Sequence, residues 1–322
     1  MKIAIIIPNY NGEKILRKNL QHVFTAAKFH IDEKKEDVSV IVVDDYSTDK
    51  SIEVLKEHKK QAIKQGIPFT FFQNSKNYGF STTVNNGVRE SDADLVILLN
   101  TDVNPDKDFI HHLRDLFSDE KVFAVGCMDK SIEDGKIVLR GRGIGRWTRG
   151  FLTHSPGDLD STTTLWVSGG SSMFRKSIWV ELGGMNELYN PFYWEDIDLS
   201  YRAVKKGYKV LFEKKSTVIH EHEEGSIKKS HSKHTVNVTA MRNQFIFVWT
   251  NISDINLLAS HILWLPFYIF KSIFGSDKTL LKGFLKAVLL FGEISLARRA
   301  SQSGVVKKDS EILSIFKSEY ER

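Results

Sequence analysis

Leu95-Val96-Ile97-Leu98-Leu99-Asn100-Thr101-Asp102 is the stretch on which the fold turns. Five aliphatic residues run without a polar break, the pattern of a strand buried on both faces in a parallel sheet covered by helices. The run stops at Asn100-Thr101-Asp102. Open α/β sheets bind ligands beyond the carboxyl ends of their strands. Two oxygen-bearing side chains one residue apart can face a hard cation and the phosphates it carries. A plainer reading is a turn in which Asp102 caps a helix after Pro105, because Asx residues favour turns.

Toward the amino terminus the same pattern repeats. Residues 3–7, 38–43 and 69–72 are strand-like; the first is a continuous aliphatic run and the second a buried-type strand. Helical spacing of Ile15, Leu16, Leu20, Val23, Phe24 and Ala27 predicts a helix over about 13–29. Shorter helices are expected after residues 49 and 79. Strand and helix alternate, which predicts a parallel α/β sheet. Three of its strands end in polar residues: Asn9 and Asn11, Asp44 and Asp45, Asn100 and Asp102. In a parallel sheet those ends share one edge, so the three clusters converge and favour a ligand site over three unrelated turns. No G-x-G-x-x-G follows the first strand and no Walker A loop is present, so neither dinucleotide nor P-loop chemistry is indicated.

Composition narrows the class. The chain has 322 residues, of which 41% are hydrophobic, enough for one large or two ordinary domains. A formal net charge of +5 suits a phosphate-bearing ligand or an anionic membrane surface and does not by itself argue for nucleic acid. Cys127 is the single cysteine, which excludes an intramolecular disulfide and fits a reducing compartment. It follows an apolar run and reads as core. Met1-Lys2-Ile3-Ala4 leads directly into a strand, so no secretory signal peptide is expected.

The second half is less regular. Residues 129–164 are rich in Gly, Arg and Ser and read as a long irregular excursion, over a site or simply solvated. Residues 166–174 read as a strand interrupted by Gly169-Gly170, where backbone can approach closely. In Trp194-Glu195-Asp196-Ile197-Asp198 three acids open a helix. They serve either as favourable charges on its first turn or as the source of a general base. Two short strands, 209–212 and 216–219, lead to His220-Glu221-His222, a candidate metal site.

These pieces together resemble glycosyltransferase family 2, of the rhamnosyltransferase-like or polysaccharide-assembly type, over residues 1–247. The resemblance rests on Pro8-Asn9-Tyr10-Asn11-Gly12, Val43-Asp44-Asp45-Tyr46-Ser47-Thr48-Asp49, Asn77-Tyr78-Gly79-Phe80, Asn100-Thr101-Asp102, Trp194-Glu195-Asp196-Ile197-Asp198-Leu199 with Arg202, and His220 with Gly225-Ser226, all in the family's order. It implies a GT-A fold, Rossmann-like and mostly parallel, and an inverting, metal-dependent transfer of sugar from a nucleotide-diphosphate donor, UDP- or dTDP-linked, to a glycan or lipid-linked acceptor in cell-surface polysaccharide assembly. It also implies a set of roles. Pro8, Tyr10, Asn11, Asp44, Asp45, Asn77, Gly79, Asn100 and Gly170 would line the nucleotide-sugar site. Asp102 would bind Mg²⁺ or Mn²⁺, with His220 or His222 completing the ligand set. Asp196, with Glu195 beside it, would be the catalytic base. The first position of the metal motif here is Asn100 where the family has Asp, which removes one charge and keeps an oxygen.

By this reading residues 1–250 form the transferase domain, divided into a donor half, 1–127, and an acceptor and catalytic half, 128–250. Residues 251–322 form a helical extension. Its apolar stretches 255–274 and 280–296, broken by His261, Pro266, Lys271, Lys282 and Lys286, suit helices lying in a membrane interface. A core or dimer contact and a bilayer crossing are the alternatives. The expected location is the cytoplasm, at the inner face of the plasma membrane. Two other functions compete: a nucleotidyltransferase making sugar nucleotides, and an inactive membrane-associated binding module. The first would want a basic glycine-rich loop after the first strand, and residues 9–12 contain no basic residue.

Overall fold

The computed structural model describes residues 1–133, 135–220 and 232–321. Four strands, β1 (Ile3–Asn9), β2 (Val38–Asp44), β3 (Phe69–Gln73) and β4 (Leu95–Leu99), lie parallel in the order β3-β2-β1-β4. Helices α1 (Glu13–Lys34), α2 (Ser51–Lys64) and α3 (Phe80–Glu90) connect them, as the alternation predicts. Period-two geometry divides each aliphatic run between two cores. Ile3, Ile5, Ile7, Leu95, Ile97 and Leu99 pack with α1, while Ala4, Ile6, Val96 and Leu98 pack on the other face with α3. All five residues of β4 are buried, and each such side chain contributes about 1.5–3 kcal/mol by leaving water.

Short β5 (Val103–Pro105) and helix α4 (Phe109–Asp115) follow β4. Asp108, not Asp102, stands at the start of α4. Beyond β4 the sheet turns antiparallel: β10 (Ser171–Arg175) pairs with both β4 and β6 (Val122–Glu133). Strand β11 (Lys209–His220) then runs parallel to β6 and antiparallel to β5.

Three expectations are corrected here. Much of the stretch expected to be irregular is strand: β6 continues to Glu133, β7 (Lys136–Arg140) pairs back onto it, and β8 (Gly143–Thr148) with β9 (Phe151–Pro156) makes a hairpin. Glycines in this stretch fill tight spaces, since a Cβ at Gly143 would enter the Trp166 ring. They therefore do not mark disorder. The strand expected over 166–174 is confined to β10. The two strands expected at 209–219 are one strand with an irregularity between Glu213 and Thr217.

The second half adds helices α5 (Lys176–Glu181) and α6 (Glu195–Lys205). After the undescribed segment come α7 (Lys233–Asn251), α8 (Ile255–Phe274), α9 (Thr279–Val288), α10 (Phe291–Gln302), α11 (Asp309–Ser314) and α12 (Lys317–Tyr320). Residues beyond 250 share the core of the catalytic half: Ala287, Ile294, Ile312 and Phe316 pack in the cluster that holds Trp194, Leu199 and Tyr201. Polar contacts fix the join. Asn251 Nδ2 donates to Asp198 at 2.7 Å, the Tyr201 hydroxyl donates to Asp309 at 2.7 Å, and Lys205 Nζ lies 3.1 Å from Asp309, both side chains fully buried.

Candidate active site

The carboxyl edge of β1, β2 and β4 is shaped by loops that hold one another. Asp44 was expected to meet the nucleotide, but it is fully buried and both oxygens are taken by the scaffold. Asn9 Nδ2 and the Ser47 hydroxyl donate to one at 2.6 Å each, and Gln73 Nε2 and the Ser47 N–H to the other at 2.8 and 2.9 Å. Its task is to set the loop that carries Asp45. Asp45 in turn accepts from Asn74 Nδ2 and the Tyr78 N–H at one oxygen and from the Gly79 N–H at the other, at 2.8–2.9 Å. Gly79 has φ +88°, and a Cβ there would approach Asn190 to 2.9 Å, so glycine is needed on both counts.

Asn11 stitches the first and second loops, accepting from the Thr48 N–H at 2.8 Å, while its own N–H donates to Ser47. Pro8 and Tyr10 are partly exposed beside it, and Asn77 is exposed on the Asp45 loop.

Asp102 is nearly buried at the end of β4, and His220, the last residue of β11, faces it. His220 Nε2 lies 3.4 Å from Asp102 Oδ1, and its Nδ1 donates to Asp129 at 2.9 Å. Burial alone would lower the imidazole pKa, but the hydrogen bonds to Asp102 and Asp129 outweigh it and raise it to about 9. A ring held through Nδ1 by a carboxylate, with Nε2 beside a second carboxylate, is the arrangement that orients histidine toward a metal. Asp129 was not anticipated. It ends an apolar run within β6, and its partner lies 91 residues away; a polar residue leaving such a run at the same sheet edge was the available signal. Among the described residues no group of three or more His, Cys, Asp and Glu converges on one point. Asp102 and His220 fit a divalent cation whose other ligands come from substrate and water. His222, the rival ligand, lies outside the described residues, as do Gly225 and Ser226.

A short path of contacts joins this pair to the acidic triplet. The Asn100 N–H donates to the Gly170 carbonyl at 2.9 Å, and any Cβ at Gly170 would collide with the Asn100 amide. The next residue back, Gly169, donates its N–H to Asp196 at 3.4 Å. Gly170 therefore acts through close packing. Gly170→Ala is expected to cost about 1–3 kcal/mol, the usual penalty of overpacking, read as a lowered urea midpoint with unchanged slope.

The three acids of α6 have separate surroundings. Asp198 is fully buried and saturated by Tyr189, Arg202 and Asn251. Glu195 is 7% exposed, and its Oε2 has no hydrogen-bond partner among the described residues. Burial, and next the Asp196 carboxylate, push its pKa up to about 8. Asp196 is partly exposed. Burial raises its pKa, against the pull of the Ile197 and Gly169 N–H groups. The turn that aims it is strained: Tyr193 and Trp194 have φ +72° and +77°. Asn243 holds that turn, its amide donating to the Tyr189, Phe192 and Tyr193 carbonyls at 2.8–2.9 Å. Cys127 is buried core as expected, its thiol pushed up to about 12 by burial.

A parallel sheet whose strand ends gather Asp45, the Asn100–Asp102 pair and His220, with a carboxylate helix docked across them, defines a glycosyltransferase. The chain belongs to glycosyl transferase family 2, whose model matches residues 4–183. It is 26% identical over 227 residues to the O-antigen chain rhamnosyltransferase RfbN of Salmonella typhimurium, covering 69% of this chain and 67% of that one. It is 27% identical over 213 residues to the probable glycosyltransferase YdaM of Bacillus subtilis, covering 66% of this chain and 48% of YdaM. It is 26% identical over 219 residues to the poly-beta-1,6-N-acetyl-D-glucosamine synthase of Staphylococcus aureus, covering 66% and 48%. The chain thus spans about half the length of the latter two.

Among solved structures, GalNAc-T7 with UDP, GalNAc and Mn²⁺ superposes with TM-score 0.72 at 14% identity, covering 99% of this chain and 57% of that one. Residues 1–349 of S. aureus TarS with UDP-GlcNAc give 0.59 at 14% identity, covering 99% and 92%. These likenesses establish the GT-A fold.

Proposed function

We propose that the protein transfers a sugar, with inversion, from a UDP- or dTDP-linked donor to a hydroxyl of a glycan or lipid-linked acceptor in cell-surface polysaccharide assembly. The observation that supports this is a run of contacts and chain neighbours, His220 with Asp102, Asn100 with Gly170 and Gly169 with Asp196, which ties the candidate cation pair to the candidate base. The relatives named for O-antigen and poly-N-acetylglucosamine synthesis support the polysaccharide reading, and neighbours solved with UDP or UDP-GlcNAc support the donor class.

Pro8, Tyr10, Asn11, the Asp45 loop with Asn77 and Gly79, and Asn100 border the donor. Asp102 and His220 would hold Mg²⁺ or Mn²⁺, which when bound supplies Lewis-acid neutralisation of the departing diphosphate. Asp196 accepts the proton of the acceptor hydroxyl. That oxygen bonds to the anomeric carbon as the carbon–oxygen bond to the diphosphate breaks, and the nucleoside diphosphate leaves with the electron pair. Glu195, neutral beside it, adds no second charge to the base. The test is release of nucleoside diphosphate from UDP-, dTDP- and GDP-sugars with Mg²⁺ or Mn²⁺, abolished by EDTA. Release from none of them would refute the proposal.

The protein is further proposed to lie on the cytoplasmic face of the plasma membrane. Helix α8 is long and apolar enough to cross a bilayer by length and composition. One side of it, His261, Leu265, Tyr268 and Ser272, is turned inward. Along it His261 Nδ1 bonds the Gly150 carbonyl at 2.7 Å and the Tyr268 hydroxyl donates to the Arg149 carbonyl. The other side, Leu263, Phe267, Phe270 and Phe274, is exposed, Leu263 to 77%. A helix held by His261 and Tyr268 to the β8–β9 turn, with an apolar side exposed, favours lying in the interface over spanning, with Lys271, Lys282 and Lys286 toward anionic headgroups. Full-length protein is expected to float with phosphatidylglycerol vesicles, and Leu263→Glu/Phe267→Glu to stay behind with donor turnover intact. Equal flotation of the two would refute the attachment.

A further inference from the structure

Helix α3 begins at Phe80 without a side-chain cap of its own. The residue before it, Gly79, has no side chain to offer the free N–H groups of the first turn. Asn190, 109 residues beyond Ser81, supplies the missing acceptor. Its Oδ1 accepts from the Ser81 N–H at 3.0 Å, and its Nδ2 donates to the Thr82 hydroxyl at 2.9 Å. The Pro191 carbonyl accepts from the Phe80 N–H at 3.4 Å. One turn on, Asn85 Oδ1 accepts from the Met185 N–H at 3.0 Å and its Nδ2 donates to the Met185 carbonyl at 2.8 Å. Segment 185–191 is thus fastened to the start of α3, beside the Gly79 N–H that reaches Asp45.

The same segment runs directly into the base. Phe192, Tyr193 and Trp194 follow Pro191, and Asp196 comes two residues later. A second grip comes from α7. Besides the three carbonyls that Asn243 binds, the Asn190 carbonyl accepts from Arg242 Nη2 at 2.6 Å, and Arg242 Nε donates to Asn243 Oδ1 at 2.8 Å. Asn243 is fully buried. The backbone between the α3 cap and Asp196 is therefore pinned at residues 189, 190, 192 and 193, and it holds Tyr193 and Trp194 at positive φ. A pinned, strained stretch in a close-packed interior transmits a displacement instead of absorbing it.

We propose that Asn190 is a positioning residue. By capping α3 from across the fold it locks the Gly79 turn, which holds Asp45, to the turn that aims Asp196, so that the donor loop and the base keep one geometry. The proposal rests on the transferase reading with Asp196 as base, and Asn190 acts through that carboxylate.

The experiment uses full-length protein with Asn190→Leu and Asn190→Asp. Leucine keeps the branched shape and loses both hydrogen bonds. Aspartate keeps both, since its carboxylate accepts from the Ser81 N–H and from the Thr82 hydroxyl turned round as donor, and its charge suits a helix start. The Asn85 and Asn243 contacts remain in either variant and retain the fold. Release of nucleoside diphosphate from UDP-, dTDP- and GDP-sugars with Mn²⁺ is followed. Asn190→Leu is expected to lower kcat about tenfold, the scale of a slightly displaced catalytic group, with donor KM within about threefold. Asn190→Asp recovers most of the lost rate. Added to Asp196→Asn, Asn190→Leu costs nothing more, because residues that act through one carboxylate are not additive. A wild-type rate in Asn190→Leu, a loss confined to KM, or losses that multiply in the double variant overturn the proposal. A readout without turnover separates it from the transferase reading. In protein labelled with fluorotryptophan, the fluorine resonance of Trp194, assigned by Trp194→Phe, is expected to move in Asn190→Leu and to stay in Asn190→Asp. An unmoved resonance overturns the positioning role whatever the activity. A moved resonance in a protein that releases nucleotide from no donor, or whose Asp196→Asn variant is as fast as wild type, supports the positioning of the turn and counts against the donor or base reading alone.

Discussion

Asp196→Asn is expected to lower kcat by at least about a hundredfold with donor affinity nearly unchanged, because a positioned general base contributes about 10²–10⁴ in rate. The substitution keeps shape and hydrogen bonding and removes the basicity. Glu195→Gln should be far milder. With its pKa raised to about 8, Glu195 is largely uncharged at neutral pH, and an amide reproduces that state. The pH dependence separates them further. On the acid side, wild-type activity rises as Asp196 loses its proton, on a limb displaced above the ordinary aspartate value, since its pKa is raised by burial. For stability, the unfolded chain releases the Glu195 proton near its ordinary value of 4.5 while the folded chain holds it to about 8. Across that window the folded state binds more protons, so this group's contribution to stability falls as pH rises. Glu195→Gln removes the decline, and its melting temperature relative to wild type should therefore increase from pH 5 toward pH 8 or so. Steady-state kinetics and thermal melts over pH decide the matter. A fast Asp196→Asn enzyme with a dead Glu195→Gln would exchange the two roles.

Asp102→Ala is expected to eliminate Mn²⁺-dependent binding of UDP or dTDP in calorimetric titration while the protein stays folded. Asp102 supplies the only carboxylate on the near side of His220, at 3.4 Å, among the described residues. Asp129→Asn should be intermediate, weakening metal-dependent binding about 10- to 100-fold, the usual effect of losing a histidine's supporting carboxylate. Unchanged affinity in Asp102→Ala would remove the metal assignment. Equal losses at Asp102 and Asp129 would recast Asp129 as a ligand.

The donor half was legible because continuous aliphatic strands and their polar ends are short-range signals. Residues 95–102 announce a strand buried on both faces and a site at its end without reference to anything distant. Asp44 shows where that reasoning stops. Asp44 and Asp45 are indistinguishable by type and position, yet Asp44 is held by Asn9, Ser47 and Gln73 and Asp45 by Asn74 and the backbone of the Tyr78–Gly79 loop, a difference set by strand parity. Asp129 marks its place by ending an apolar run, but its role is defined by a histidine on another strand, which the local signal does not name. The β8–β9 hairpin was hidden by glycines that interrupt the strand pattern and that exist because Trp166 and Leu165 pack against them. Separating Asp196 from Asp198 required knowing that Tyr189, Arg202 and Asn251 close around Asp198.

The contacts of Tyr201 and Lys205 with Asp309 also bear on how the enzyme comes into being. A nascent chain presents the helix that carries its base roughly 5–20 s before the ribosome has added Asp309, at ordinary elongation rates. Until then Lys205 has no carboxylate to meet in the interior it must occupy, and an unpaired buried charge is strongly destabilising. Donor-side strands can pair as they emerge, but the acidic helix cannot settle. Catalytic competence is thus acquired last, and a message cut short anywhere between codons 251 and 309 yields a chain able to form its parallel strands and unable to seat its base.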